Sequence, residues 1–238
     1  MNTQPPPGYV IYNGPSRIDG QQIVAILTGL RKSKNRKTGN VLQVYILRAD
    51  TRPSQARKEN KDVSICGDCP HRINKSCYVN LAKAPRAVHA AWLRGVYPDD
   101  LQAAAQAATD RHVRLGAYGD PYAVPVWVWR ELLHLAAGWL GYTHQWRQPD
   151  AGPYMQWCMA SADSCTDRVD ALDMGYRTFR VRRADEALMP GEFVCPASDE
   201  GGKRVQCDTC KACDGTGRRG AAQGSPVIIV HGAMKKYF

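Results

Sequence analysis

From residue 112 onward the chain alternates short apolar runs with amphipathic ones. Residues 112–118 read as a strand, 125–138 ("PVWVWRELLHLAAG") as a helix and 139–146 ("WLGYTHQW") as a strand. Residues 154–162 read as a strand, 166–175 as a short helix and 176–183 ("YRTFRVRR") as a strand. A short helix over "ADEALM" and strands at 192–198 and 225–232 complete the series. Strands that alternate with helices across short connections point to a parallel sheet covered by helices. The expected fold class is therefore α/β, a small or incomplete (β/α) barrel, with a twisted open sheet as the alternative. No internal repeat is visible.

The preceding residues are organised differently. Residues 1–16 read as a loose Pro-rich arm. Residues 17–62 read as a basic β-hairpin and linker: "IVAILTGL" (23–30) and "VLQVYILRA" (41–49) flank the polar stretch "RKSKNRKTGN". Its tip carries Arg31, Lys32, Lys34, Arg36 and Lys37, a charge run suited to a phosphate backbone or to a solvated loop. "PRAVHAAWLRG" and "PDDLQAAAQAATD" read as helices, the second opened by Pro98, Asp99 and Asp100. Residues 63–238 then form the barrel-like catalytic domain, with metal knuckles at 66–77 and 195–213.

Lys and Arg number 32 against 22 Asp and Glu, a net charge of +10. A clustered basic excess favours a polyanionic partner, here DNA. No run approaches the roughly 20 apolar residues of a membrane span, and the N-terminus lacks a secretory pattern. A soluble, intracellular protein without a membrane partner is expected.

Seven of the nine cysteines fall in two tight groups. Cys207, Cys210 and Cys213 are spaced CxxCxxC, and Cys195 comes twelve residues before Cys207. A CxxC turn aims two sulfurs at one point, and four thiolates suit zinc or an iron–sulfur cluster. Zinc is the first expectation, the cluster the alternative. His231 is a substitute for Cys195 as fourth ligand. The other group, Cys66, Cys69 and Cys77, encloses His71, its nearest fourth ligand. Neither has the CxxxCxxC spacing of radical S-adenosylmethionine enzymes.

Catalytic groups collect at strand ends in parallel α/β folds. Here those ends carry Asp120, His144 and Asp163, the catalytic candidates. Each has a structural alternative: Asp120 precedes a proline and suits a helix cap, Asp163 suits the cap of the helix near 166, and His144 suits the core. Tyr118 and Tyr122 are candidates for stacking on a base. Arg180 and Arg182 share one strand face and suit phosphates or a solvated edge. No P-loop, dinucleotide fingerprint or HExxH motif is present.

The combination "ICGDCPHR…CYVN", "RLGAYGDPYAVP", "GYTHQWR" and "CMASADS" resembles a group of small, poorly described bacteriophage proteins. More loosely, the layout is similar to the tRNA-guanine transglycosylases and their phage relatives that insert 7-deazaguanines into DNA. That resemblance implies a (β/α) barrel, a C-terminal zinc site matched by Cys207, Cys210, Cys213 and His231, and a 7-deazaguanine base as substrate. Asp163 or Asp120 would attack the sugar C1′ to displace guanine, and the other carboxylate would recognise or deprotonate the incoming base. It places the protein in the host cell cytoplasm. The CxxCxxC spacing, the extra first cysteine group and the short chain depart from that family, and the alternatives are a metal-stabilised nucleic-acid-binding protein without catalysis or an iron–sulfur enzyme.

Overall fold

The structure is a computed structural model that describes residues 5–31, 37–216 and 224–238. It begins with three antiparallel strands, β1 (Gly8–Pro15), β2 (Gln22–Thr28) and β3 (Leu42–Arg48). The expected hairpin is thus present as β2 and β3. Lys32, Lys34 and Arg36 of its basic tip lie outside the described residues. The loose arm expected over 1–16 is corrected, because residues 8–15 are a paired strand. The prolines at 5–7 end where β1 begins, and a register shift between Val10 and Tyr12 lets Val10 and the adjacent Ile11 both be buried.

Five helices follow: α1 (Pro53–Lys58), α2 (Val63–Cys66), α3 (Pro70–Ile73), α4 (Ala84–Leu93) and α5 (Leu101–Ala107). Strand β4 (His112–Tyr118) then pairs parallel to β3, and the chain continues through α6 (Val126–Leu133) to β5 (Gly138–Leu140), parallel to β4. The first sheet therefore has the order β1-β2-β3-β4-β5.

The second sheet comprises β6 (Tyr142–Thr143), β7 (Met159–Ala162), β8 (Thr178–Arg182), β9 (Glu192–Val194) and β10 (Ser225–Ile229). Helix α7 (Cys165–Asp173) connects β7 to β8, and α8 (Cys207–Cys210) lies between β9 and β10. All its pairings are parallel, in the order β6-β7-β8-β10-β9.

The architecture is thus mixed α/β with two five-stranded sheets, and no closed barrel forms among the described residues. The strand expected over 139–146 is divided at Gly141: β5 pairs into one sheet and β6 into the other. A Cβ at 141 would stand 2.8 Å from Cys158 Sγ and 3.0 Å from the Trp157 carbonyl oxygen. The crossing between sheets accordingly requires glycine. The helix expected over 125–138 ends at Leu133, and "ADEALM" forms turns, not a helix.

The main core lies on the first sheet. Ile23 to Leu27 are all fully buried, so β2 is covered on both faces. Val128, Trp129 and Leu132 of α6 join that core, and Trp129 Nε1 donates to the Pro121 carbonyl at 3.0 Å. Burying each such large side chain contributes about 1.5–3 kcal/mol. The second sheet has a more polar interior, built around buried arginines. Arg180 donates through Nε and a terminal nitrogen to both oxygens of Glu192, each at 2.8 Å, and to Glu186 at 2.9 Å. Arg177 binds Asp214 at 2.7 Å, and Arg182 binds Glu200. No helix among the described residues is long and apolar enough to cross a membrane.

Candidate metal centre

Alternate residues of the strands of both sheets face one cavity of about 300 Å³. Strand β4 contributes Arg114, Gly116 and Tyr118, with Ala117 joining them at the strand's end, the β5–β6 segment Leu140, Tyr142 and His144, and the β7 segment Ser161 and Asp163. Phe179 and Val181 of β8 and Ile228 and Val230 at β10 continue the lining. The two-residue alternation is the pleat of a strand, which directs every second side chain to one face. Both cysteine groups border this cavity: Cys66, Cys69 and Cys77 from the first, and Cys195, Cys207, Cys210 and Cys213 from the second.

At the ends of β6 and β7 three expected residues converge. Asp163 accepts from His71 Nε2 at 3.0 Å through one oxygen and lies 3.1 Å from His144 Nε2 through the other. One ligand atom from each of the three lies within 4.8 Å of the others. Each of these side chains is more than four-fifths buried. Cys69 Sγ is 3.9 Å from His144 Nε2.

Local structure explains how each arrives. Asp163 precedes α7, but the helix is capped by Ser164, whose hydroxyl accepts from the Asp167 N–H at 3.0 Å. Asp167 in turn accepts from the Asp163 N–H at 3.2 Å. The capping role expected of Asp163 thus falls to Ser164, and the Asp163 carboxylate is released to the cavity. His71 sits in α3, where its Nδ1 contacts Ser76 Oγ at 2.8 Å and its ring stacks on Phe238 with centroids 5.6 Å apart. These contacts hold the ring with Nε2 toward Asp163. The Cys66–Cys69 turn has Gly67 at φ 57°. A Cβ there would meet the Gln145 amide at 2.4 Å. That amide donates to Asp68 at 2.7 Å and to the Cys66 carbonyl at 3.3 Å, which fixes the turn over the strand ends.

Burial disfavours charge on Asp163, but hydrogen bonds from His144 and His71 outweigh it and hold the carboxyl well below its ordinary pKa. Burial likewise disfavours the charged His144 ring, yet the neighbouring Cys69 and Asp163 outweigh that and push its pKa well above the histidine value. Two imidazoles and one carboxylate are also a donor set that transition metals take. Ligand atoms about 2.1 Å from an ion and at right angles lie about 3 Å apart. One ligand atom from each of the three residues, within 4.8 Å of the others, is close enough to meet on one ion. The residues therefore fit a metal ion.

Asp120 lines the same cavity but is held differently. One oxygen accepts from the Tyr122 N–H at 3.0 Å, capping the short 3-10 turn Pro121–Ala123, and the other accepts from the His144 N–H at 2.8 Å. Its backbone N–H also donates to the Ile65 carbonyl at 2.6 Å. Burial raises its pKa, against these hydrogen bonds. The catalytic expectation is replaced by a positioning role: Asp120 ties β4, α2 and His144 together. Asp120→Ala removes two hydrogen bonds to a buried carboxylate and is expected to destabilise the fold by about 2–3 kcal/mol. Urea unfolding measures this.

The other expected residues scatter. Tyr118 faces the cavity, its hydroxyl buried without a hydrogen-bond partner. Tyr122 instead donates its hydroxyl to Asp150 and packs on Tyr154 and Arg17, away from the cavity lining. Arg180 and Arg182 are buried against carboxylates, which takes them off any phosphate-facing surface. Alternation placed them correctly on one face, but that face is internal. His231 lines the cavity with its ring 5.1 Å from Tyr78. Arg31 is exposed, and Lys37 borders the cavity. Lys37 also accepts, through its carbonyl, the Cys207 N–H at 3.1 Å, which ties this residue to the second cysteine group.

Sequence reading missed Arg114 and Phe179, which line the cavity, whereas Tyr142, which lines it too, stood among the aromatics expected near the strand-end rim. The Tyr142 and Phe179 rings lie 4.7 Å apart. The two-residue period of β4, extended from Tyr118 back to Gly116 and Arg114, was the available signal for the arginine. No protein-family model, curated protein or solved structure matches the chain; its own geometry is that of a mixed α/β protein in which His71, His144 and Asp163 form a group that could hold a metal ion, beside a cysteine-lined cavity.

Proposed function

We propose that the protein is a metal-dependent enzyme that modifies a base in DNA, with its metal on His71, His144 and Asp163. The observation that carries this reading is the convergence of two imidazoles and a carboxylate at the strand-end side of a half-open cavity. Such a donor set suits zinc or non-haem iron(II) and leaves coordination positions open. Held there, an ion would supply Lewis acidity and lower the pKa of a water molecule beside the substrate. The chain supplies the rest. Ser76 and Phe238 orient His71, Asp120 holds the backbone of His144, and the capped start of α7 presents Asp163. Tyr142 and Phe179 offer ring faces to a planar substrate. A volume of about 300 Å³ lies at the lower limit for small-ligand sites and accommodates one flipped base.

The net charge of +10, the basic run over residues 31–37 and the place of Lys37 at the cavity support a nucleic-acid partner. Binding to duplex DNA is expected to weaken steeply with salt. Arg31→Glu with Lys37→Glu is expected to weaken it at every sequence and to reduce the slope of log affinity against log salt by about 2. Filter binding across a salt series measures both.

A second reading, exchange of guanine for a 7-deazaguanine with Asp163 as nucleophile, is favoured by one observation: Asp163 is strongly held ionised and shares its cavity with Asp120. Zinc on the second cysteine group belongs to that reading. Mass spectrometry of nucleosides from DNA of cells expressing the protein tests both. A 7-deazaguanine nucleoside selects exchange, and another altered nucleoside that requires the triad selects the metal-dependent reaction. Unaltered DNA, from cells in which the protein is soluble and metal-loaded, contradicts both.

A further inference from the structure

We infer that Cys195, Cys207, Cys210 and Cys213 hold an iron–sulfur cluster of several iron atoms, not a single zinc ion. This inference does not depend on the triad. It rests on which thiols are gathered, how far apart they are held, and which cation stands beside them.

Four thiols are gathered from three places. Cys207 and Cys210 come from the single turn of α8, and Cys213 follows Lys211, whose φ of 57° reverses the chain. Cys195 comes from the end of β9, with its N–H bonded to the Val227 carbonyl at 2.9 Å. All four border the cavity, beside the apolar side chains of Leu140, Ile228 and Val230. They are near enough that charge on any one is felt by the others.

They are not drawn to a point. Thiolates about 2.3 Å from one tetrahedral zinc lie about 3.8 Å apart. Among the described residues, no three cysteine sulfurs lie within 4.8 Å of one another. The segments that bear them are pinned to different elements. The Cys207 N–H is held by Lys37, the Cys213 carbonyl accepts from the Gly141 N–H at 3.2 Å, and the Ala212 carbonyl accepts from Arg177 at 2.9 Å. In a cluster, irons and inorganic sulfides stand between the thiolates, which are then held further apart.

Arg114 adds an independent observation. The buried arginines Arg168, Arg177, Arg180 and Arg182 each have a carboxylate partner. Arg114 has none among the described residues. It donates to the Tyr78 hydroxyl at 2.8 Å, and its Nε is buried without a hydrogen-bond partner. It lies beside Cys207 on the same cavity. The guanidinium is only partly buried, but it faces the thiol group with no carboxylate beside it among the described residues, and a cluster held by four thiolates would give it an anionic neighbour.

The test is made on the full chain, purified without oxygen, reconstituted with ferrous iron and sulfide, and desalted. The expected product retains iron and acid-labile sulfide in near-equal amounts, several of each per chain, with a broad visible absorption that dithionite bleaches. Cys207→Ser with Cys210→Ser is expected to abolish the iron and sulfide retained by this group. Cys66→Ser with Cys69→Ser is expected to keep it. Arg114→Gln is expected to lose iron to a chelator several-fold faster than wild type, with Arg114→Lys restoring the slower rate. One tightly held zinc per chain with no retained sulfide overturns the inference. So does a chromophore that survives in the second-group variant and disappears in the first-group variant. Should circular dichroism show that the second-group variant is unfolded, the iron, sulfide and zinc content of the wild type decides.

Discussion

Asp163→Ala is expected to lower the affinity for a divalent transition metal by on the order of 100-fold or more, while the protein stays folded. Outer-shell partners of metal ligands already cost about 10–100-fold when removed, and Asp163 is placed as a ligand. It contacts both histidines, at 3.0 and 3.1 Å, so its loss removes one donor and frees two others. The fold should tolerate the change because Ser164, not Asp163, caps α7. Metal must also compete with the proton that the surroundings of His144 favour. Affinity should therefore rise with pH as that ring is deprotonated. In Asp163→Ala the rise should begin at lower pH, because the carboxylate that helps hold the proton is gone. Calorimetric titration at several pH values measures both effects.

Arg180→Ala is expected to destabilise the protein by about 3–5 kcal/mol, the range for breaking a buried ion pair by removing one partner. The Arg180 and Glu192 side chains are both fully buried, and their bidentate contact joins β8 to β9 across β10. Glu192 also holds Arg168 of α7 at 3.1 Å. Removing the guanidinium leaves that carboxylate short of donors in a dry interior. Replacing both partners together, as Arg180→Met with Glu192→Leu, should recover much of the loss, because no uncompensated charge is left. Urea unfolding of the three variants gives the energies. A phosphate-binding role for Arg180 would instead leave stability unchanged and reduce DNA affinity.

The signals that could be read from the chain were local ones. Strand β4 spans the residues that its apolar pattern indicated, 112–118, because Val113 and Leu115 face a real core. The β2–β3 pair followed from two apolar runs around a polar connection. The N-terminal strand was hidden by the three prolines before it. The division at Gly141 was hidden because a single glycine does not say which sheet the strand will join. The triad was half visible. His144 and Asp163 stood at strand ends, and His71 stood in a cysteine group, but their meeting depends on contacts across 92 residues of chain that no spacing encodes. Asp120 shows the opposite case. Its local cap geometry is real, and the second oxygen, bonded to the His144 N–H, turns that cap into a support for the site.

Binding of manganese(II), followed by its electron paramagnetic resonance signal, tests the central claim most directly. Manganese prefers oxygen and nitrogen donors to thiolates, so it reports on His71, His144 and Asp163 and not on the cysteine groups. The account predicts one manganese per chain in the wild type, lost in both His144→Ala and Asp163→Ala. Equal binding by the wild type and both variants, or no binding by the folded wild type at millimolar manganese, would contradict it.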